Sequence, residues 1–291
     1  MKAVSHAVDE ARLGIMLNDL RLPTIKTLWP QFAEREDREG WPAARFLAAI
    51  AEHELAERSQ RRITRHLAEA HLPPGKTLDS FAFEAVPMIS KAQVMAMAAG
   101  DSWLAKGANV LLFGPPGGGK SHLAAAIGLA LIENGWRVLF TRTTDLVQKL
   151  QLEAALAKLD KFDLLILDDL AYVSKDQAET SVLFELISAR YEHRSIMITA
   201  NQPFGEWNRV FPDPAMTLAA VDRLVHHATI FEMNVESYRR RSALEGKRQR
   251  GRPAAYATIK NTPKPDAARQ SESDDDVASD NQRDNLSDAA T

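Results

Sequence analysis

The residues GPPGGGKS at 114–121 follow the G-x-x-x-x-G-K-[ST] spacing of a phosphate-binding loop. Gly114, Pro115, Pro116, Gly117, Gly118 and Gly119 can present backbone N–H groups to phosphates. The helix that follows adds the positive end of its dipole. Lys120 is expected to reach the β- and γ-phosphates, and the Ser121 hydroxyl to coordinate magnesium. An ordinary glycine turn needs neither residue. Downstream, LLILDD (164–169) is an apolar strand that delivers two carboxylates at its end. Asp168 is expected to hold magnesium through water, and Asp169 to orient or polarise the attacking water. The chemistry is phosphoryl transfer from a nucleoside triphosphate.

Other residues are open to two readings. Asn201 ends the strand ITAN, where its amide could position water if that strand adjoins the one bearing Asp168. It could equally start the turn before Gln202 and Pro203. Arg223, on a helix, is either a solvated charge or a finger supplied to the next subunit's nucleotide. His226 and His227 are adjacent and are not expected to face the same way on a helix, and no cysteine or third convergent histidine accompanies them, so they are not assigned as zinc ligands. His122 is assigned to packing, and Trp29 and Trp41 to helix anchoring rather than base stacking. Two basic groups suit DNA phosphates: the stripe Arg58, Arg61, Arg62 and Arg65, and the run with Arg239, Arg240, Arg241, Lys247, Arg248 and Arg250. Neither contains a base-reading motif.

These residues need elements to hold them. Residues 109–113, 137–141, 163–169, 195–201 and 229–233 are predicted strands, separated by helices over 120–133, 143–160, 177–192 and 217–227. Strands that are apolar throughout and alternate with helices imply a parallel sheet covered on both faces, an α/β core. Residues 1–72 are predicted as an all-helical domain cut into three or four helices by Pro23, Pro30 and Gly40–Trp41–Pro42. Residues 73–89 form a linker whose Leu78, Phe81 and Phe83 pack back onto a neighbour, 90–256 the core with its basic segment, and 257–291 an acidic disordered tail.

The charge of -3 hides a division. Residues 261–291 carry eight acidic and three basic side chains, so the preceding 260 are net +2 and nucleic acid is not excluded as a partner. Zero cysteines exclude disulfides and thiolate metal sites. The first residues lack the apolar run of a signal peptide, and no stretch is apolar enough to span a membrane, which predicts a cytoplasmic protein.

The order FGPPGGGKSHLAAAIG, LLILDDL, ITANQPFGEW, DRLVHHA and ESYRRR resembles the IstB-like ATPases, the transposition helpers of bacterial insertion sequences, over about 8–250. These are relatives of DnaC-type helicase loaders in the AAA+ class. The resemblance implies a P-loop AAA+ ATPase core that binds ATP and Mg2+, with Asp168 and Asp169 as the magnesium and hydrolysis pair, Asn201 as sensor and Arg223 as finger. It further implies a homo-oligomer on duplex DNA that bends or marks the target and recruits a transposase. The Asp–Asp ending departs from the usual Asp–Glu and implies slow turnover, and no room remains for a full helical lid. Rival expectations are a helicase loader, a metabolic kinase, and an ATP-gated scaffold without hydrolysis.

Overall fold

A computed structural model describes residues 2–153, 156–170, 177–211 and 213–238. The basic run from Arg239 and the acidic tail lie outside the described residues. The N-terminal region forms three helices: α1 (Lys2–Asp19), α2 (Pro23–Glu39) and α3 (Ala43–Ala70). Pro23 opens α2, and Gly40 closes it with a left-handed backbone (φ 65°). Pro30 was expected to divide the region but lies within α2. The bond its missing N–H forfeits would reach Lys26, and both residues are exposed, so water can satisfy that carbonyl.

No side chain at the start of α2 caps that helix. Glu54, buried in the middle of α3, does so from outside: one carboxylate oxygen accepts the backbone N–H groups of Thr24 (2.8 Å) and Ile25 (3.1 Å). The other oxygen takes Arg58 at 2.9 Å, with Arg61 at 3.7 Å. Burial opposes ionisation of Glu54, but the Ile25, Arg58 and Thr24 hydrogen bonds outweigh it and hold the carboxyl below the usual range.

After α4 (Lys91–Ala99), an element not anticipated from the sequence, the core runs β1 (Asn109–Phe113), α5 (Lys120–Glu133), β2 (Val138–Arg142), α6 (Thr143–Glu153), β3 (Leu164–Asp168), α7 (Gln177–Arg190), β4 (Ser195–Ala200), α8 (Pro214–Val225) and β5 (Ala228–Glu232). The predicted helix over 143–160 gives way to a 3-10 turn at Leu156–Leu159. The sheet has the order β2-β3-β4-β1-β5, and every neighbouring pair is parallel. Successive strand residues enter opposite cores. Val110, Leu112, Leu164 and Ile166 pack with α5 and with Ala70, Phe81 and Val94, while Leu111, Phe113, Leu165 and Leu167 pack with α6, α7 and α8. Gly128 lets α5 lie close on β3, since a Cβ there would stand 2.8 Å from Ile166. Among the described residues, no helix is long and apolar enough to cross a membrane.

Glu54→Ala should lower unfolding stability by about 3 kcal/mol, because it leaves two helix N–H groups and a guanidinium without their buried acceptor. Chemical denaturation measures the loss, and hydrogen exchange should localise it to the first turn of α2. Since the folded pKa lies below the unfolded one, this contribution is complete above about pH 4.3 and fades as pH falls through the lower folded value.

Candidate nucleotide-binding site

Parallel pairing brings the carboxyl ends of β1, β3 and β4 to one edge, and β4 lies between the other two. The residues that follow these strands therefore converge. Pro116 to His122, Asp169 and Asn201 line one cavity of about 490 Å³. The adjacency required for Asn201 to act near phosphate is present, because β4 pairs directly with β3.

The loop from Gly114 needs its glycines for space as well as conformation. Gly117 has φ 82°, and a Cβ there would run into the Ser237 side chain. Gly114, at φ 145°, is covered closely by the Met233 carbonyl. Gly119, at φ 97°, caps α5 and faces the Phe81 ring. Lys120 is buried at the first position of α5, and its ammonium donates to the carbonyls of Gly114 (2.7 Å) and Pro115 (3.0 Å). A buried cation beside a glycine cradle at a helix N-terminus has the charge and the N–H donors that a polyphosphate requires. The residues present fit the group. Gly117, Gly118, Gly119, Lys120 and Ser121 would hold the phosphates, and the Phe81, Val86 and Val235 side chains offer apolar surface for a base.

Asp168 and Asp169 have different positions. Asp169 lines the cavity, whereas Asp168 is buried behind it, with only 8% exposure. Thr199, fully buried on β4, joins the two. Its hydroxyl donates to Asp168 Oδ1 at 2.6 Å and accepts the Asp169 N–H at 3.0 Å. The Thr143 hydroxyl holds the Asp168 carbonyl at 3.0 Å. Asp169 has φ 57°, a left-handed backbone in which aspartate is several-fold enriched among non-glycine residues. That conformation gives the Asp–Asp ending a physical reason.

The sequence does not single out Thr199 or the wall opposite the loop. Gly75, Lys76, Ser80, Phe81, Ala82, Ala85 and Val86, all in the segment assigned to a linker, line the cavity, as do Val235, Glu236 and Tyr238. The signal available was the apolar content of FAFEAV, unusual for a plain connector; the expected packing of Leu78, Phe81 and Phe83 is present. His122 fastens this wall to α5, with Nε2 3.2 Å from the Thr77 carbonyl and 3.1 Å from the Ser80 hydroxyl. Burial lowers its pKa, which favours the neutral imidazole such packing uses.

Arg223 does not line the cavity. Its Nη1 donates to the Ala219 carbonyl at 3.0 Å, and its guanidinium lies 5.2 Å from the Phe184 ring centre. Of the helical arginine stripe, Arg58 also bonds the Arg21 carbonyl and Arg61 the Thr24 hydroxyl, so both are engaged in bracing α2. The Arg62 guanidinium packs on Gly135, and Arg65 is exposed. The expectation that His226 and His227 cannot converge is corrected: α8 stops at Val225, so the pair is not carried on a helix, and the ring centroids are 4.0 Å apart.

A five-stranded parallel sheet in this order, with a glycine loop feeding α5 and carboxylates after β3, defines a P-loop protein of the AAA+ type. The chain belongs to the IstB-like ATP binding protein family, which it matches over residues 15–246. It is similar to an insertion sequence ATP-binding protein of Sinorhizobium fredii, at 84% identity with 100% of both chains covered. The IS21 insertion sequence ATP-binding protein of Pseudomonas aeruginosa is 34% identical, with 82% of this chain and 91% of that one covered. Among solved structures, a DNA replication initiation factor shares the fold at a TM-score of 0.50, with 19% identity over 62% of this chain and 56% of that one.

Gly117→Ala should weaken binding of a fluorescent ATP analogue by about tenfold or more, because it fails on both backbone conformation and space. Gly205→Ala, where an added Cβ meets nothing within 4 Å, should leave that affinity unchanged.

Proposed function

We propose that this chain is an ATP-dependent transposition helper. It assembles on target duplex DNA, bends or marks it, and recruits or stimulates its partner transposase. ATP hydrolysis at subunit junctions regulates the assembly. The observation that carries this reading is the convergence of Lys120, Asp169 and Asn201 on one cavity in a chain of the insertion-sequence family. The same family membership favours a transposase over a replicative helicase as the partner.

The bound nucleotide supplies the phosphoryl group, and Mg2+ would neutralise charge on its oxygens. Lys120 shifts its ammonium from the loop carbonyls to phosphate oxygens, Ser121 would coordinate the metal, and Asp168, behind the cavity, would hold it through water. Asp169 orients the attacking water from the cavity wall, and Asn201 fixes that water from β4. Thr199 is a positioning residue, since one hydroxyl sets both the Asp168 carboxylate and the Asp169 backbone. Arg223, outside its own cavity, completes the neighbour's site as a finger. DNA phosphates are met by Arg62, Arg65 and the basic run from Arg239 to Arg250, with weak sequence preference. Residues 1–72 contact the transposase, residues 90–256 form the ATPase unit, and the acidic tail after 257 competes with DNA for the adjacent basic run. The protein works in the bacterial cytoplasm on DNA.

Lys120→Ala should abolish ATP-dependent assembly on DNA, seen by electron microscopy, and retained filaments or rings would contradict the loop's role. Arg223→Ala should keep ATP affinity while DNA-stimulated phosphate release falls about 10³-fold. An equal rate in wild type and variant would remove the finger. Thr199→Val should keep ATP bound but lower turnover at least about tenfold, by disturbing the carboxylate pair. A strand-transfer assay with the cognate transposase decides the whole reading: no ATP-dependent increase at saturating helper would overturn it.

A further inference from the structure

A cluster of side chains that the nucleotide chemistry does not use lies where α7 and α8 end. His226 and His227 occupy the turn between α8 and β5, and Glu192 occupies the turn after α7. Glu192 Oε1 is 3.6 Å from His226 Nδ1 and 3.7 Å from His227 Nε2. We propose that Glu192, His226 and His227 form a binding site for a divalent transition-metal ion of the zinc type.

The spacing and the donor set both support this assignment. Ligand atoms about 2.0–2.1 Å from a tetrahedral zinc ion lie about 3.4 Å from one another. The two observed separations exceed that by only a few tenths of an ångström, which small side-chain rotations can supply. Two imidazoles and one carboxylate suit Zn2+, whereas Mg2+ and Ca2+ prefer all-oxygen sites. Two imidazolium ions packed this closely would repel, but two neutral rings can offer lone pairs to a shared cation. Solvent would complete the coordination.

The backbone that carries Glu192 is fixed by packing. Glu192 has φ 58°, a left-handed backbone seen at only four non-glycine positions among the described residues. Its turn lies tightly against Gly107, where an added Cβ would approach the Glu192 carbonyl carbon to 2.8 Å. The Tyr191 hydroxyl, 2.7 Å from His226 Nδ1, holds that ring in the ion-free protein and must release the nitrogen for it to bind metal. The ion would link the end of α7 to the end of α8. Further back along both helices, Arg223 and Phe184 already meet. Metal occupancy therefore stiffens the α8 segment that carries Arg223, whatever role that arginine has.

Isothermal titration of the full nucleotide-free chain with Zn2+ tests the site. One ion should bind per chain and raise the thermal unfolding midpoint. Glu192→Gln should weaken binding about tenfold or more, whereas Tyr191→Phe, which removes a competitor for His226 Nδ1, should not weaken it. The His226→Ala/His227→Ala double variant should lose both the binding and the midpoint shift. ATP affinity should be unchanged in all three variants, which reports that they are folded. Asp168→Asn, altered at the nucleotide site, should still bind zinc. Equal zinc stoichiometry and affinity in wild type and the double variant would overturn the proposal, as would no detectable binding to wild type at 100-fold molar excess.

Discussion

The parallel pairing of β4 between β1 and β3 is the constraint on which the nucleotide site depends. It sets the distance between the glycine loop and the carboxylates, and it supplies the residues that fill the gap. Thr199 and Asn201 both belong to this inserted strand or its end, one behind the cavity and one at its wall. Two residues apart, they share one side of the strand, and they differ because Thr199 is still inside β4 while Asn201 lies just past its end. Ile198 and Ala200 are committed to one core and Met197 to the other, which leaves the threonine to meet the carboxylate of β3. Because the Asp169 amide is held by the same hydroxyl, the Asp168 carboxylate and the Asp169 backbone are both tied to β4.

Charge is handled by similar means in the N-terminal helices and in the core: three buried ionic groups are each held partly or wholly by backbone groups. Glu54 takes two N–H groups from the start of α2, and Lys120 gives to two carbonyls of its own loop. Arg190 is the extreme case. Fully buried, with its pKa pushed down to about 10 mainly by desolvation, it donates to carbonyls of Leu159, Phe162 and Ser195. Those contacts tie together the amino ends of β3 and β4, opposite the edge where nucleotide chemistry is expected.

The core was legible in the sequence because short apolar strands between helices admit few arrangements, and the glycine loop carries its own geometry. Lys120, Asp169 and Asn201 line one cavity, although for Asn201 the sequence supported a turn equally well. Long-range contacts were not legible. Nothing local to Phe81 or Val235 announces that they face each other across a cavity, and Thr199 reads as one more β-branched residue in a strand. Arg58 and Arg61 read as part of a stripe suited to DNA phosphates because helical periodicity shows which residues share a face, not that a glutamate on α3 has already recruited them. The histidine pair was misjudged for a related reason: helix geometry was applied past the point where the helix stops.

The segment from Gly75 to Val86 gives the protein an unexpected seam. By chain order it joins two parts, but by contact it belongs to the nucleotide cavity and is fastened there by His122. The smallest piece able to grip a nucleotide therefore begins near Leu72, since a fragment starting at residue 90 would carry the loop and leave its roof behind. The helices reach the core by a second route as well, since Glu69 of α3 pairs with Arg137 at 2.6 Å and His66 lies 3.1 Å from the Trp136 carbonyl, so the part of the chain proposed to meet a partner and the part that lines the cavity are coupled at two places.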